Sequence, residues 1–230
     1  SFFSENNDVF TSNNLFISIH QVSANKSAVL FSTPFKRTHI KDNQEVILLF
    51  TKDFTTSNYD NQTVYFSKSL DKFFSFKNDI LFYSKDKMLL TDAIRTSNKN
   101  TDDLFVNPLF LNCYNTTSSS ADINLMINYN NLIALSNIFT TTPLELNYFS
   151  EWTATDVTLK NNRIIASGFS TLNKTVNNFT DIFNSQKNQS LKILDVIPQT
   201  TNYLLGITFS NQKQLYEKKN IRIIQIFKLK

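Results

Sequence analysis

Residues 153–170 read TATDVTLKNNRIIASGFS and hold the clearest structural signal in the chain. Thr155, Val157 and Leu159 alternate with polar neighbours, and Ile165, Ser167 and Phe169 return with the same period of two. That period is the mark of a half-buried strand. Between the runs stand Asn161 and Asn162, and Asn tolerates the positive φ of a two-residue turn second only to Gly. The stretch predicts a β-hairpin joining 153–160 to 163–170.

Other segments follow the same logic. Leu15, Ile17 and Ile19 fall on one face of Asn14–His20, with Phe16, Ser18 and His20 on the other. A loop through Ser23, Asn25 and Lys26 leads to a second strand, Ala28–Phe31, stopped by Pro34. Val46–Phe50 is short and continuously apolar, which predicts a strand buried on both faces. Thr63–Phe66 and Ile80–Tyr83 are further strands, with Lys85–Asp86–Lys87 as a polar turn. Around Lys72–Lys77, Phe73, Phe74 and Phe76 form either an exposed patch or a strand with Phe74 and Phe76 inside.

Helices are expected to be short. Leu89 with Ala93, and Leu90 with Ile94, make one apolar stripe along Met88–Thr96. Pro108 suits the first turn of a helix reaching Tyr114, and Asn115–Ser120 is a polar loop. Ala121–Tyr129 reads as a strand, with Asn130 or Asn131 capping a helix over Leu132–Phe139. Val176, Phe179 and Phe183 predict one more helix over Thr175–Asn184.

Leu125, Ile127, Tyr129, Asn131 and Leu135 recur at the same spacing as Leu205, Ile207, Phe209, Asn211 and Leu215. This predicts a duplicated strand–cap–helix module over 121–139 and 202–219, with Asn130 and Ser210 as caps. The expected class is therefore α+β: mainly antiparallel sheet, short helices on one face. The modules expected are 1–140 and 141–220, or one continuous domain over both, followed by a tail at 221–230.

Composition narrows function by exclusion. A chain of 230 residues buries roughly 70–75% of its unfolded surface and needs no disulfide or metal to hold a core. The 22 Phe, 2 Gly and about thirty Asn have the bias of AT-rich coding sequence. Lys218, Lys219, Arg222, Lys228 and Lys230 lie in the tail; taking these five from the 23 basic residues leaves 18 against 19 acidic. The body thus lacks the basic patch expected of a nucleic-acid binder.

Cys113 is the single cysteine, so no intrachain disulfide forms, and it reads as a small buried hydrophobe rather than a nucleophile. With only His20 and His39, no metal site, catalytic histidine or cofactor is expected. Ser18 and His20 share a strand face, close enough for a hydrogen bond on a face that more often meets solvent. Ser167-Gly168-Phe169-Ser170 lacks the second Gly of a nucleophile elbow, and Gly168 lies in a hairpin strand. Asp102–Asp103 read as loop or helix-start acids. Sequons start at Asn25, Asn61, Asn115, Asn173, Asn178 and Asn188, the number that chance supplies here. No apolar run of about 18 residues is present to span a membrane.

Asp79-Ile-Leu-Phe-Tyr-Ser followed by Leu89-Leu-Thr-Asp-Ala-Ile-Arg95 resembles a strand and helix of large envelope proteins of Bacteroidetes, the DUF3352 group. Asp122–Tyr129, and Ile193–Pro198 leading into Tyr203–Phe209, resemble it too. The resemblance covers roughly 14–217 through apolar patterns alone and carries no catalytic residues. It implies an exported envelope protein, of which this chain is an N-terminal portion, with another envelope protein as partner. The start at Ser1 suggests a processed or truncated product. Ile221–Lys230 departs from that pattern, as a frameshift or early end near Asn220 would, or else forms a Lys-protected edge strand. The function expected is a non-catalytic, protein-binding or structural module; the alternatives are a hydrolase whose Ser or Asp residues converge only in the fold, and a carrier of an apolar ligand.

Overall fold

The structure is a computed structural model that describes residues 14–35, 42–99, 104–138, 149–171, 183–184, 186–190, 195–201, 204 and 206–217. Two compact units divide the chain: 1–107 with 134–143, and 108–133 with 144–230. The predicted helix at Thr175–Asn184 and the tail at 221–230 lie outside the described residues, apart from Phe183 and Asn184.

The first unit holds β1 (Phe16–Ser23), β2 (Lys26–Pro34), α1 (Asn43–Phe50), β3 (Thr55–Tyr59), β4 (Gln62–Ser67), β5 (Lys72–Lys77), β6 (Ile80–Ser84) and α2 (Lys87–Asn98). Its strands form one antiparallel sheet in the order β1-β2-β6-β5-β4-β3. Tight turns need positive φ, which usually calls for Gly. Here Asp60–Asn61, Asp71 and Asn78–Asp79 supply it, with φ between 47° and 61°. Short Asx side chains tolerate that region better than other L-residues. The Asn-rich composition therefore does the structural work that two glycines cannot.

Alternation sends the aromatics of β5 and β6 to opposite faces. Phe74, Phe76, Leu81 and Tyr83 pack with Phe35, Tyr65 and α1, through Val46 and Ile47. Phe73 and Phe82 pack on the other face with Leu30, Val64 and α2, through Leu89, Leu90 and Ile94. Helices thus cover both faces of this sheet, a correction to the expectation of one. The Phe73–Phe76 segment is a strand within the core, and its aromatics make no exposed patch.

Val46–Phe50 is helical, where a buried strand was expected. Asp42 caps the helix, its side chain accepting from the amides of Gln44 at 2.8 Å and Glu45 at 3.1 Å. A five-residue apolar run does not separate the two periods, and the cap preceding it decides the outcome. Asp86, placed in a polar turn by the sequence, caps α2 through the amide of Leu89 at 3.0 Å and pairs with Lys26 at 2.5 Å. The Lys26 hydrogen bond first, and the Leu89 amide with it, hold its carboxyl below the usual range despite burial.

The second unit contains α3 (Pro108–Tyr114), β7 (Ile123–Asn128), β8 (Trp152–Lys160), β9 (Arg163–Ser170) and α5 (Gln212–Glu217), while α4 (Tyr129–Ser136) begins in it directly after β7. The three strands form an antiparallel sheet in the order β7-β8-β9. The hairpin turns at Asn161–Asn162 with φ of 37° and 63°, and its register runs from Thr153↔Ser170 to Lys160↔Arg163. Since β7 pairs with β8, this sheet draws strands from both sides of residue 140. Trp152 and Ala154 face α3, where Phe110 and Cys113 complete a small core. The Cys113 thiol is buried and donates weakly to the Trp152 carbonyl at 3.5 Å; burial pushes its pKa up. Gly168 is needed for close approach: a Cβ there would lie 2.2 Å from the Ala154 carbonyl oxygen.

Among the described residues the duplicated module does not recur. In the first copy, Asn128 caps α4 through the Asn131 amide at 3.0 Å, so neither Asn130 nor Asn131 is the cap. Tyr129 opens the helix instead of ending the strand. In the second copy, 204 and 206–209 form no strand, and Ile207 is 46% exposed. Its helix starts three residues later by the alignment, capped by Asn211 through the Gln214 amide at 3.1 Å. Ser210 has other work: its Oγ accepts from the Lys187 amide at 2.8 Å, and its own amide donates to Gln186 Oε1 at 2.8 Å. The shared letters reflect similar composition under different tertiary constraints.

Candidate functional site

On the face of the first sheet that carries α2, a cleft of about 400 Å³ opens between the helix and the strands. Leu30 on β2, Phe82 on β6, and Leu89 and Ala93 on α2 give it an apolar floor, with Leu104 beside them. Its rim is polar: Ser18 and His20 from β1, Asp92, Thr96 and Ser97 from α2, and Lys99 just beyond it. Register explains the assembly. Ser18 pairs with Leu30, and His20 with Ala28, so both side chains stand on the face against which α2 packs.

Ser18 Oγ and His20 Nε2 lie 2.8 Å apart. His20 remains exposed on one side, yet partial desolvation lowers its pKa below the ordinary imidazole value, with the Asp92 charge acting against that shift. The shift favours the neutral ring, the form that can accept a proton. Asp92 is already engaged: Arg95 donates to its Oδ1 from Nη2 at 2.5 Å and from Nε at 3.2 Å. Among the described residues no carboxylate is within hydrogen-bond reach of His20 to orient it. Ser18 also sits mid-strand, away from any turn or helix start where amides converge on an oxyanion. The pair has a nucleophile and a base without the groups that would make them efficient.

The same strand has a second property. β1 is an edge of the sheet, and within the described residues nothing pairs with its outer side. Its eight residues, FISIHQVS, include no charge and no Pro, and all but Val22 are exposed. Ile17 and Ile19 are 57% and 60% exposed on the face opposite the cleft. The other edge, β3, is shorter and nearly all polar, TTSNY. Proteins ordinarily blunt an edge with charge, Pro, brevity or a bulge, and of these β1 carries only an irregularity near its end. A register shift between Gln21 and Ser23 limits its straight run to Phe16–Gln21.

Other sites anticipated from the sequence do not come together. His39 and Asp102–Asp103 lie outside the described residues. Ser167 and Ser170 lie on β9, with Ser170 Oγ 2.7 Å from Thr153 Oγ1. Asn25, Asn61, Asn115 and Asn188 are exposed, while Asn173 and Asn178 are outside the described residues. No cluster of three metal-ligating side chains occurs among the described residues, and no described helix is long and apolar enough to cross a membrane. Asp92, Thr96 and Lys99 were not singled out by sequence reasoning. Asp92 and Thr96 stand at i+3 and i+7 from Leu89, beside the apolar stripe, and that spacing was the available signal; it is the ordinary look of a helix boundary between core and solvent. No protein-family model, curated protein or solved structure matches the chain. The class is thus defined by the fold itself: an α+β, mostly-sheet protein.

Proposed function

We propose that this chain is a non-catalytic binding module that captures an extended segment of another protein by strand addition to β1. The observation that carries the reading is the uncharged, exposed edge strand Phe16–Ser23. Main-chain hydrogen bonds supply affinity in such docking, and alternate side chains supply selectivity. The resemblance of the Asp79–Ser84 and Leu89–Arg95 segments to exported proteins makes the cell envelope the proposed location, with another envelope protein as the partner. The test is amide exchange across Phe16–Gln21 with and without an uncharged extended peptide such as acetyl-Thr-Val-Thr-Tyr-Thr-Val-Thr-amide. Added protection confined to alternate amides of β1 is expected, and Ile19→Lys should abolish it. Unchanged exchange at saturating peptide would sink the proposal.

The 2.8 Å contact of Ser18 with His20 favours a second reading, a weak hydrolase. Labelling by a fluorophosphonate decides between them. Modification of Ser18 that disappears in His20→Gln would move the assignment to catalysis.

A further inference from the structure

Resting on strand addition at β1, the geometry points to the cleft as the pocket for one large aromatic side chain of the added strand. Side chains two apart share a sheet face, so alternate residues of an incoming strand stand beside Phe16, Ser18 and His20. Ser18 is the small member of that row, and it leaves a gap between two large neighbours. A ring opposite Ser18 passes over it towards Leu30, its cross-strand partner, and onto the floor of Phe82, Leu89 and Ala93. Aromatic side chains have that lateral reach across a sheet, and short aliphatic ones do not.

The chemistry of the rim favours Tyr over Phe. His20, Thr96 and Ser97 offer polar atoms around an apolar floor, which suits an apolar ring with a polar tip. A lysine or arginine is disfavoured, because Asp92, the acid lining the cleft, is already paired with Arg95. An uncharged edge likewise calls for an uncharged segment. A second copy of this chain is the poorer occupant: the six-residue straight run is a short contact for two folded bodies that need about 1,200–2,000 Å² between them.

The test uses the whole chain and three labelled peptides: the Thr-Val-Thr-Tyr-Thr-Val-Thr sequence above, and its central Tyr→Ala and Tyr→Lys forms. Fluorescence anisotropy should show the Tyr peptide binding about tenfold or more tighter than the Ala form, with the Lys form weaker still. Ala93→Leu, which fills the floor, should bring the Tyr/Ala ratio near unity. Ser18→Phe, on an exposed strand that needs no core rearrangement, should do the same should Ala93→Leu fold poorly. Equal binding of Tyr and Ala peptides overturns the pocket and leaves strand addition standing. No binding by any peptide, with no protection of β1, overturns strand addition itself. A dimer in sedimentation that Ile19→Lys dissociates overturns the choice of a foreign segment over a second copy.

Discussion

The two sheets are made by the same local rule and end in different states. Both are antiparallel, and both have turns in which Asn or Asp accepts positive φ. In the six-stranded sheet, β5 and β6 bury aromatics towards a helix on each side, Phe74 beneath α1 and Phe73 beneath α2. In the three-stranded sheet only the Trp152–Ala154 side has a described helix over it. On its other side Ile123, Leu125, Leu159 and Ile164 are 46–76% exposed. Alternation within a strand thus says that two faces differ, and leaves open whether each acquires a cover. Stability should follow the cover rather than the pattern.

The largest expected effect tests that claim directly. Phe74→Ala should cost about 3–5 kcal/mol, because the ring is almost fully buried against Phe50 and Tyr83. Ile164→Ala, an equally apolar strand residue at 76% exposure, should stay within about 0.5 kcal/mol. Urea denaturation of the two variants measures both. Similar losses would mean that the open face of the smaller sheet is covered in solution.

A smaller effect is expected at Gly168. Ala there places a methyl 2.2 Å from a backbone carbonyl that cannot move without breaking the β8–β9 ladder. Gly168→Ala should cost about 1–3 kcal/mol, read as faster amide exchange in β8 and β9 with β5 and β6 unchanged. If exchange accelerates equally in both sheets, the two units do not open independently.

Asp53 gives the first sheet an acid-sensitive contact. Ser69 first, then Thr51, with the Ser69 amide and Ser67, bind the carboxylate and lower its pKa to about 2 from 3.8. The depressed folded value means the contribution is present above the unfolded pKa of 3.8 and is lost as pH falls towards about 2. Asp53→Asn should lower the urea midpoint at pH 6, and the difference from wild type should shrink between pH 4 and 2. A constant difference over that range would show that the carboxylate charge is not what holds the contact.

The smallest effect is at the hairpin tip. Asn162→Gly removes the cost of a left-handed L-residue at φ 63° and should stabilise the hairpin by under about 1 kcal/mol. The matching change at Asn61 should do the same for the β3–β4 turn, where φ is 60°. Opposite signs at the two turns would show that side-chain contacts, and not φ, govern them.

Where alternation met a turn residue, the structure was legible: the hairpin read over 153–170 formed, and the alternation read over Asn14–His20 falls in the strand Phe16–Ser23. The Leu89–Ile94 stripe was equally plain, because four apolar positions at helical spacing bury one face. Val46–Phe50 was not, since continuous apolarity suits a buried strand or a buried helix alike. The decisive residue was Asp42, outside the run. The repeat misled because five matching letters carry no information about neighbours. Asn128 and Asn211 each cap a helix, at positions that the alignment does not equate.

Local features follow from the residues alone: the period of each strand, the Asx residues that permit its turns, and the absence of charge along β1. These depend on steric and solvation preferences over a few residues. Which faces are covered, and that Ser18 and His20 on β1 line one cleft with Asp92 on α2 and Lys99 just beyond it, follows from long-range packing. Those residues are separated by more than seventy positions, and no periodicity spans such a gap. Sheet order and helix packing bring them together, because burying the Leu89, Leu90 and Ile94 stripe on Leu30 and Phe82 fixes where the polar side of α2 must stand.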